Sequence, residues 1–483
     1  MLRRFGRDVA VYGGADLVFK LLQFAAIPFY SHRLSVAEFG LLALVTVSIG
    51  LAGILVNFGV SYSIQRFYFD SAIAEERRPV LITTGLVQLL VSGTTMLALI
   101  GLALHQRQDH LLSEYQLPWS FVLVGLLTVL PDQVAQYSLD ASRLQFAPWR
   151  FCAIAMAKNV FGLLIGLWLL IERDMGVLGL LAGNLAAALV AAPLGLWLIR
   201  RDLTFSIDRA YVSMMLRFGS PFIFTAAAYW VFASMDRWLL AELSDAVQVG
   251  LFSIAFKFAS VLTLVIAAFH QAWIPTAMRM ARDDPGYRRT FAAIFDGWFY
   301  LLALMALGIA LFADEVMMLL TPEAYWPAAG ALAIGAAAVA VSGTTQITSL
   351  GLTLEKRTLL IAVGAWLAAG LNVLLNLLLI PGFGASGSAT ATLISYAFLT
   401  SFFLVCSQRL HPLPLHYGRL SFGLLVVAAA LAAPLLPDGP LLDPATTALK
   451  LFILLTVLLL AFPLRVIPPG FVRQLLPARK PFS

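Results

Sequence analysis

Three lysines of this 483-residue chain, Lys20, Lys158 and Lys257, lie inside apolar segments long enough to cross a bilayer as helices. A charge at the membrane centre costs roughly 2.5–3.5 kcal/mol on insertion scales, so such residues usually face protein or a water-filled cavity. Ammonium groups attract anions, and three of them on three helices predict a shared anionic ligand. The alternative for Lys158 and Lys257 is that each side chain snorkels to the membrane surface.

The first apolar segment carries a stripe of polar residues. Tyr12, Asp16, Lys20 and Gln23 follow one another at intervals of three or four residues, which places them on one face of a helix. We predict that this face lines a cavity. The alternative is a buried ion pair between Asp16 and Lys20 that holds helices together. Carboxylates within membranes often carry protons or cations, so Asp16 is a candidate for ion coupling.

A second polar stripe consists of Asp132, Gln136 and Asp140, which are four residues apart and extend towards Arg143. Asp296 lies just inside a later apolar segment. Asp132 and Asp296 are further candidates for carrying a coupling proton or sodium ion, for the same reason as the carboxylate of the first stripe.

The elements that position these residues are predicted to be membrane-spanning helices. The sequence is 60% hydrophobic and only 12% charged, whereas soluble domains average about 45–50% and 25%. The composition therefore predicts an all-α, polytopic integral membrane protein with about fourteen transmembrane helices. The predicted spans are residues 9–30, 39–60, 80–104, 117–139, 150–171, 176–199, 217–237, 248–274, 291–312, 327–352, 358–380, 384–408, 418–436 and 446–465.

The basic residues are distributed unevenly over the loops between these spans. One set of alternating loops contains most of the 32 lysines and arginines. The opposite set contains only Arg33, Arg107, Arg173, Arg237 and Lys450. Because cytoplasmic loops are enriched in Lys and Arg, both termini are predicted to be cytoplasmic. The net charge of +6 is accounted for by orientation and anionic lipid headgroups, so no nucleic acid partner is predicted.

Short motifs recur at a nearly constant offset. Leu-Ser followed by Gly-Leu occurs near Gly40 and again near Gly250, and a Gly-x-x-Gly motif occurs at Gly179 and again at Gly387. The two members of each motif are separated by nearly the same number of residues. This agreement predicts parallel six-helix lobes at residues 1–204 and 205–410, with two appended helices at 411–483. The alternative is that glycine matches arise by chance in apolar sequence.

The sequence has no catalytic or cofactor-binding constellation. It lacks a G-x-x-x-x-G-K nucleotide loop, a His/Cys cluster for a metal, and a large external domain for glycosyl transfer. No cofactor, no metal and no enzymatic activity are predicted.

Three blocks of sequence nevertheless resemble a known family. They are HRLSVAEFGLL at 32–42, MDRWLL followed by VGLFSIAFK at 235–257, and NVLLNLLLIPGFGASG at 372–387. These blocks are similar to motifs of the Wzx-type oligosaccharide flippases in the multidrug/oligosaccharidyl-lipid/polysaccharide exporter superfamily. The resemblance covers nearly the whole chain.

The resemblance implies a cationic cavity between two six-helix lobes and a specific type of cargo. The cargo would be a polyprenyl-diphosphate-linked oligosaccharide repeat unit, moved from the inner to the outer leaflet for O-antigen, capsule or exopolysaccharide synthesis. Family positions on the first, second and eighth helices correspond to Lys20, Arg66 and Lys257, with Lys158 and Arg143 as further candidates. The first-helix cation is a lysine rather than the arginine of related lipid II flippases, so bidentate phosphate binding is less expected.

Two other functions are also compatible with the sequence. A cation-coupled multidrug exporter of the same superfamily would usually have twelve helices and depend more on carboxylates. A polysaccharide polymerase or ligase would place catalytic residues in a large external loop. A flippase in the bacterial cytoplasmic membrane would contact membrane lipids and work beside a polymerase and chain-length machinery.

Overall fold

A computed structural model describes residues 14, 17–71, 73–355, 357–436, 443–461 and 463. All regular elements in these residues are helical, which confirms the predicted all-α class. The α-helices are α1 (17–25), α2 (Ile27–Arg33), α3 (Val36–Asn57), α4 (Val60–Phe67), α5 (Arg78–His105), α6 (Gln108–Tyr115), α7 (Trp119–Leu144), α8 (Pro148–Ile171), α9 (Gly176–Ile199), α10 (Arg209–Leu243), α11 (Ala246–Ala259), α12 (Val261–Asp283), α13 (Tyr287–Leu311), α14 (Ala313–Leu320), α15 (Ala329–Ser342), α16 (Thr345–Thr348), α17 (Leu350–Leu354), α18 (Thr358–Leu410), α19 (Tyr417–Ala432) and α20 (Pro444–Leu460).

The helices confirm a multi-pass membrane protein. Ten of those in the described residues are long and apolar enough to cross a bilayer, and an eleventh span forms if α11 and α12, which are bent by 45°, count as one. The 53 residues of α18 would extend about 80 Å at 1.5 Å per residue, more than two bilayer crossings. This helix breaks at Gly384, where φ is 51° and ψ is −128°. The total of fourteen spans and the cytoplasmic termini stay predictions.

The chain divides into two compact units, Met1–Ser253 and Ile254–Ser483. The first unit has a core in which Leu81 and Leu89 of α5 pack with Tyr137 of α7. The core of the second unit joins Phe299 and Leu307 of α13 to α15 and α19. The lobe boundaries predicted at residues 204 and 410 stay a prediction.

An ion pair joins α20 to the rest of the second unit. The Lys450 ammonium lies 2.6 Å from a Glu315 carboxylate oxygen of α14, and the two side chains are 10% and 15% exposed. Neither charge would be stable so deep without its partner. This helix, the second of the two predicted appended helices, is therefore held by charge as well as by apolar contacts.

The first turn of α3 explains part of the 32–42 sequence block. Ser35 caps this helix: its hydroxyl accepts a hydrogen bond from the Glu38 backbone N–H, and the Glu38 carboxylate accepts one from the Ser35 N–H. This reciprocal capping box satisfies backbone groups that a helix start leaves without partners. The serine and the glutamate of the motif thus fix where the membrane helix begins.

Candidate functional site

The first unit contains a polar cavity of about 330 Å³ between α3, α4, α7 and α10. Its polar lining consists of Asn57, Ser61, Gln65, Gln133, Gln136 and Asp140. Tyr62, Phe222 and Ile223 add apolar surface. Such a concentration of hydrogen-bonding groups among membrane-spanning helices makes this cavity a candidate site for a polar ligand.

A break in the backbone brings part of this lining together. Phe58 and Gly59 have φ values of 47° and 75°, so α3 stops at Asn57 and α4 starts in a new direction. A side chain on Gly59 would overlap with the carbonyl oxygen of Gly219 on α10, so only glycine allows this approach. Discontinuous helices of this kind often form the binding sites of membrane transporters.

Hydrogen bonds across the break organise the cavity wall. The Asn57 side-chain amide donates to the Ser61 hydroxyl and to the Gln133 side-chain oxygen, both at 3.0 Å. Side chains from α3, α4 and α7 therefore form one connected network.

The predicted stripe on α7 lies on one face and contacts α8. The Asp132 carboxylate lies 2.9 Å from the Lys158 ammonium, with side chains 28% and 21% exposed. Lys158 also donates to the Gln136 oxygen at 3.5 Å, and Gln136 donates to Asp140 at 3.3 Å. The charge of Lys158 is therefore matched by a carboxylate beside the cavity.

The two predicted arginines are more exposed than the lysine on α8. The Arg66 guanidinium lies 3.0 Å from the Asp70 carboxylate, and its side chain is 56% exposed. Arg143 is 54% exposed and lies 3.9 Å from Asp140. Its guanidinium also lies 4.5 Å from the centre of the Phe151 ring. Each arginine thus already has an acidic neighbour.

The other two predicted cations belong to different units. Lys20 is half-buried on α1, next to Phe19, which packs against Leu139 of α7. Lys257 is exposed in the second unit, three residues before the bend between α11 and α12 at Ser260. Among the described residues that line the cavity of the first unit, none is a lysine or an arginine.

The three carboxylates predicted for ion coupling have different surroundings. Asp16 lies outside the described residues. Asp132 of α7 forms an ion pair with Lys158 of α8. Asp296 is buried, and one of its oxygens contacts His416 at 2.9 Å and Arg419 at 3.3 Å. Its other oxygen is buried and has no hydrogen-bond partner within the described chain.

Sequence reasoning missed the neutral part of the site. Asn57 and Gln133 carry no charge, so the criterion of charged residues within apolar segments does not identify them. The available signal is Gly59, because glycine adopts the left-handed conformation of this break without steric cost. Asn376 was likewise used only as a family motif, although it is buried and accepts a hydrogen bond from Ser388 at 2.7 Å.

Membrane-spanning helices around a cavity of hydrogen-bonding side chains define a polytopic membrane protein. Residues 5–281 match the family described as "Polysaccharide biosynthesis protein", and the chain belongs to that family. A relative from Haemophilus influenzae, "Lsg locus putative protein 1", is 22% identical over 279 residues, 56% of this chain and 65% of the relative. The chain thus matches just under two thirds of that relative's length.

Solved structures show the same fold. The lipid II flippase MurJ in its inward closed conformation has a TM-score of 0.72 at 10% identity, covering 93% of this chain and 98% of that one. The Vibrio cholerae MATE transporter VcmN has a TM-score of 0.53 at 15% identity, with 84% and 96% covered. These neighbours are a flippase and a transporter rather than enzymes, and the chain is a multi-pass protein of the bacterial inner membrane.

Proposed function

We propose that this protein flips polyprenyl-diphosphate-linked oligosaccharide repeat units from the inner to the outer leaflet of the cytoplasmic membrane. The units would supply O-antigen, capsule or exopolysaccharide synthesis, with a polymerase and chain-length machinery acting afterwards. The observation that carries this proposal is the polar cavity within membrane-spanning helices of a polysaccharide biosynthesis protein. Alternating access would move the polar headgroup while the lipid tail stays in the bilayer.

The diphosphate requires cations along its path, because an unmatched charge in hydrocarbon is very costly. The proposal assigns this role first to Lys20, Arg66 and Lys257. Arg66 and Asp70 are one helical turn apart, and the Arg66 side chain is largely exposed. Ion pairs of this type stabilise a helix by only about 0.3–0.5 kcal/mol, so a diphosphate can replace Asp70 as the partner of Arg66. Lys158 and Arg143 are secondary candidates.

Ion coupling would involve the buried or half-buried carboxylates. Asp296 is favoured by its burial and by the oxygen that has no hydrogen-bond partner in the described chain. Asp132 is the alternative in the first unit, and Asp16 stays a candidate from the sequence. The coupling ion would be a proton or sodium.

Replacing Lys20 or Lys257 by alanine is expected to reduce transport by about 10- to 100-fold while membrane insertion is unchanged. The reason is the loss of a hydrogen bond to a charged group, worth about 1.5–3 kcal/mol. The measurement is the rate of surface-polymer formation at matched protein levels in the membrane. Lys20→Arg and Lys257→Arg are the controls, and they should keep most activity. Full transport by both alanine variants would exclude these lysines from the diphosphate path.

A deletion strain of the source bacterium tests the function itself. We expect completed polyprenyl-linked repeat units to accumulate on the cytoplasmic side and surface polymer to disappear. The measurement is extraction of the lipid-linked oligosaccharides, assignment of their leaflet and an assay of surface polysaccharide. Normal surface polymer with altered drug sensitivity would instead indicate a multidrug exporter. Repeat units that are flipped but not polymerised would indicate a polymerase.

A further inference from the structure

We infer that the cavity of the first unit binds an uncharged sugar, with room for a monosaccharide or a disaccharide. This inference rests on the proposed function and adds that the diphosphate and the sugar are bound by different groups of residues. The cations described above would hold the diphosphate, and the cavity would recognise a neutral part of the oligosaccharide.

The chemistry of the lining favours sugar hydroxyls. Four side-chain amides line the cavity, those of Asn57, Gln65, Gln133 and Gln136, and an amide has donors and an acceptor together. The two Asn57 donors are used by Ser61 and Gln133, so the three glutamines are the amides with hydrogen-bonding capacity left for a ligand. A sugar hydroxyl also donates and accepts, so amides can satisfy it in either role. The Ser61 hydroxyl adds a fifth group of the same dual character.

The charges around the cavity disfavour an anionic ligand. Asp140 is a lining residue with a carboxylate, and no described lining residue is a lysine or an arginine. The nearby Lys158 is matched by Asp132 at 2.9 Å. The Asp140 carboxylate is itself matched by Arg143 at 3.9 Å. A phosphate or a uronic acid placed here would therefore add a negative charge beside ion pairs that are already balanced. A neutral hexose or an N-acetylhexosamine meets no such cost.

Aromatic rings supply a surface for the apolar face of a pyranose. Tyr62 and Phe222 are stacked, with ring centroids 4.9 Å apart and an interplanar angle of 16°. Phe218 extends the cluster, with its centroid 5.2 Å from that of Phe222. Both Tyr62 and Phe222 line the cavity. Their rings combine contact area with one polar hydroxyl, a combination suited to a ligand with polar edges and apolar faces.

The size of the cavity limits the ligand. About 330 Å³ is at the small end of the roughly 300–1,000 Å³ typical of small-molecule sites. A Cβ atom on Gly53 would lie 2.9 Å from the Gln133 side-chain nitrogen, so the glycine leaves room for this amide. One or two sugar rings fit, and a whole repeat unit does not.

Binding of free glycosides to the purified full-length protein in lipid nanodiscs tests the inference. The probes are methyl galactoside, methyl N-acetylglucosaminide and methyl glucuronide, followed by saturation-transfer NMR and calorimetry. We expect at least one neutral glycoside to bind, and the glucuronide to bind about tenfold more weakly or not at all. Preferential binding of the glucuronide, or no binding of either neutral glycoside, would overturn the inference.

Matched variants locate the binding. Gln133→Leu should weaken neutral glycoside binding by about tenfold, and Gly53→Ala should do so by displacing the same amide. Gln88→Leu is the control, because Gln88 is a buried glutamine of α5 that does not line the cavity. Unchanged binding in both cavity variants would place the sugar elsewhere. If Gln133→Leu fails to fold, Gly53→Ala decides the question alone.

The leaflet assay separates this inference from the proposed function. Flipping that continues while the purified protein binds no neutral glycoside would refute the sugar site and leave the flippase intact. Neutral glycoside binding in a protein whose deletion leaves repeat units in the outer leaflet would refute the flippase and leave the site.

Discussion

Replacing Lys158 by methionine is expected to lower the free energy of unfolding by about 3 kcal/mol, the lower end of the range for breaking a buried ion pair. The variant removes the ammonium that lies 2.9 Å from Asp132, where both side chains are more than two thirds covered. Asp132 would then lie inside the membrane without its cationic partner. The measurement is the thermal stability of the detergent-solubilised protein, together with surface-polymer formation in cells.

The double variant Asp132→Asn, Lys158→Met separates a pairing role from a substrate role. Because both charges are removed together, stability is expected to return to within about 1 kcal/mol of the original. Transport should return as well, because in this interpretation Lys158 neutralises Asp132 and does not bind the diphosphate. A stable double variant that transports nothing would contradict this, and it would return Lys158 to the substrate path or Asp132 to ion coupling. Asp132→Asn alone is the matched control, and it should leave Lys158 unpaired and destabilise the protein.

The sequence predicted which residues of α7 share a face, but it did not predict their partners. Asp132, Gln136 and Asp140 are four residues apart, and helical periodicity alone places them together. The contact with Lys158 depends on how α8 packs against α7, a long-range property that spacing along the chain does not contain. The lysine was therefore interpreted as an anion ligand, whereas in the structure it already has a carboxylate.

Hydropathy located most of the spans but not their irregular ends. The sixth predicted span, 176–199, has the same limits as α9, Gly176–Ile199. The seventh, 217–237, is shorter at both ends than α10, Arg209–Leu243. The ends of α10 carry polar residues, which lower the hydropathy below that of a span. The second, 39–60, ran through the break at Gly59. That break positions the cavity lining, so the feature that hydropathy missed is also the one that matters for the site.

The glycines of the proposed repeat have a physical explanation in the first unit. Gly40 is the fifth residue of α3, and Gly250 is the fifth residue of α11. A side chain on Gly40 would overlap with the carbonyl oxygen of Ala246, and one on Gly250 with that of Val36. The contact is reciprocal, as expected for two equivalent helix starts that cross each other. Close backbone approach of this kind is typical of small residues between membrane helices.

Gly250→Ala is therefore expected to destabilise the protein by about 3 kcal/mol, the upper part of the range for overpacking. The added methyl group cannot be accommodated by a side-chain rotation, because the atom it meets is a backbone oxygen of α3. The first turns of the two helices must separate and lose their packing. The measurement is thermal stability in detergent, with the amount of protein in the membrane as a second readout.

Gly101→Ala provides the matched control in α5. A Cβ atom there would lie 3.9 Å from its nearest neighbour, a methyl group of Leu126, so it meets no obstacle. Alanine is a better helix former than glycine by about 1 kcal/mol, and this control should keep or raise stability. If Gly250→Ala were as stable as Gly101→Ala, the close contact between α3 and α11 would not be required for folding. The glycine match in the proposed repeat would then have no packing role.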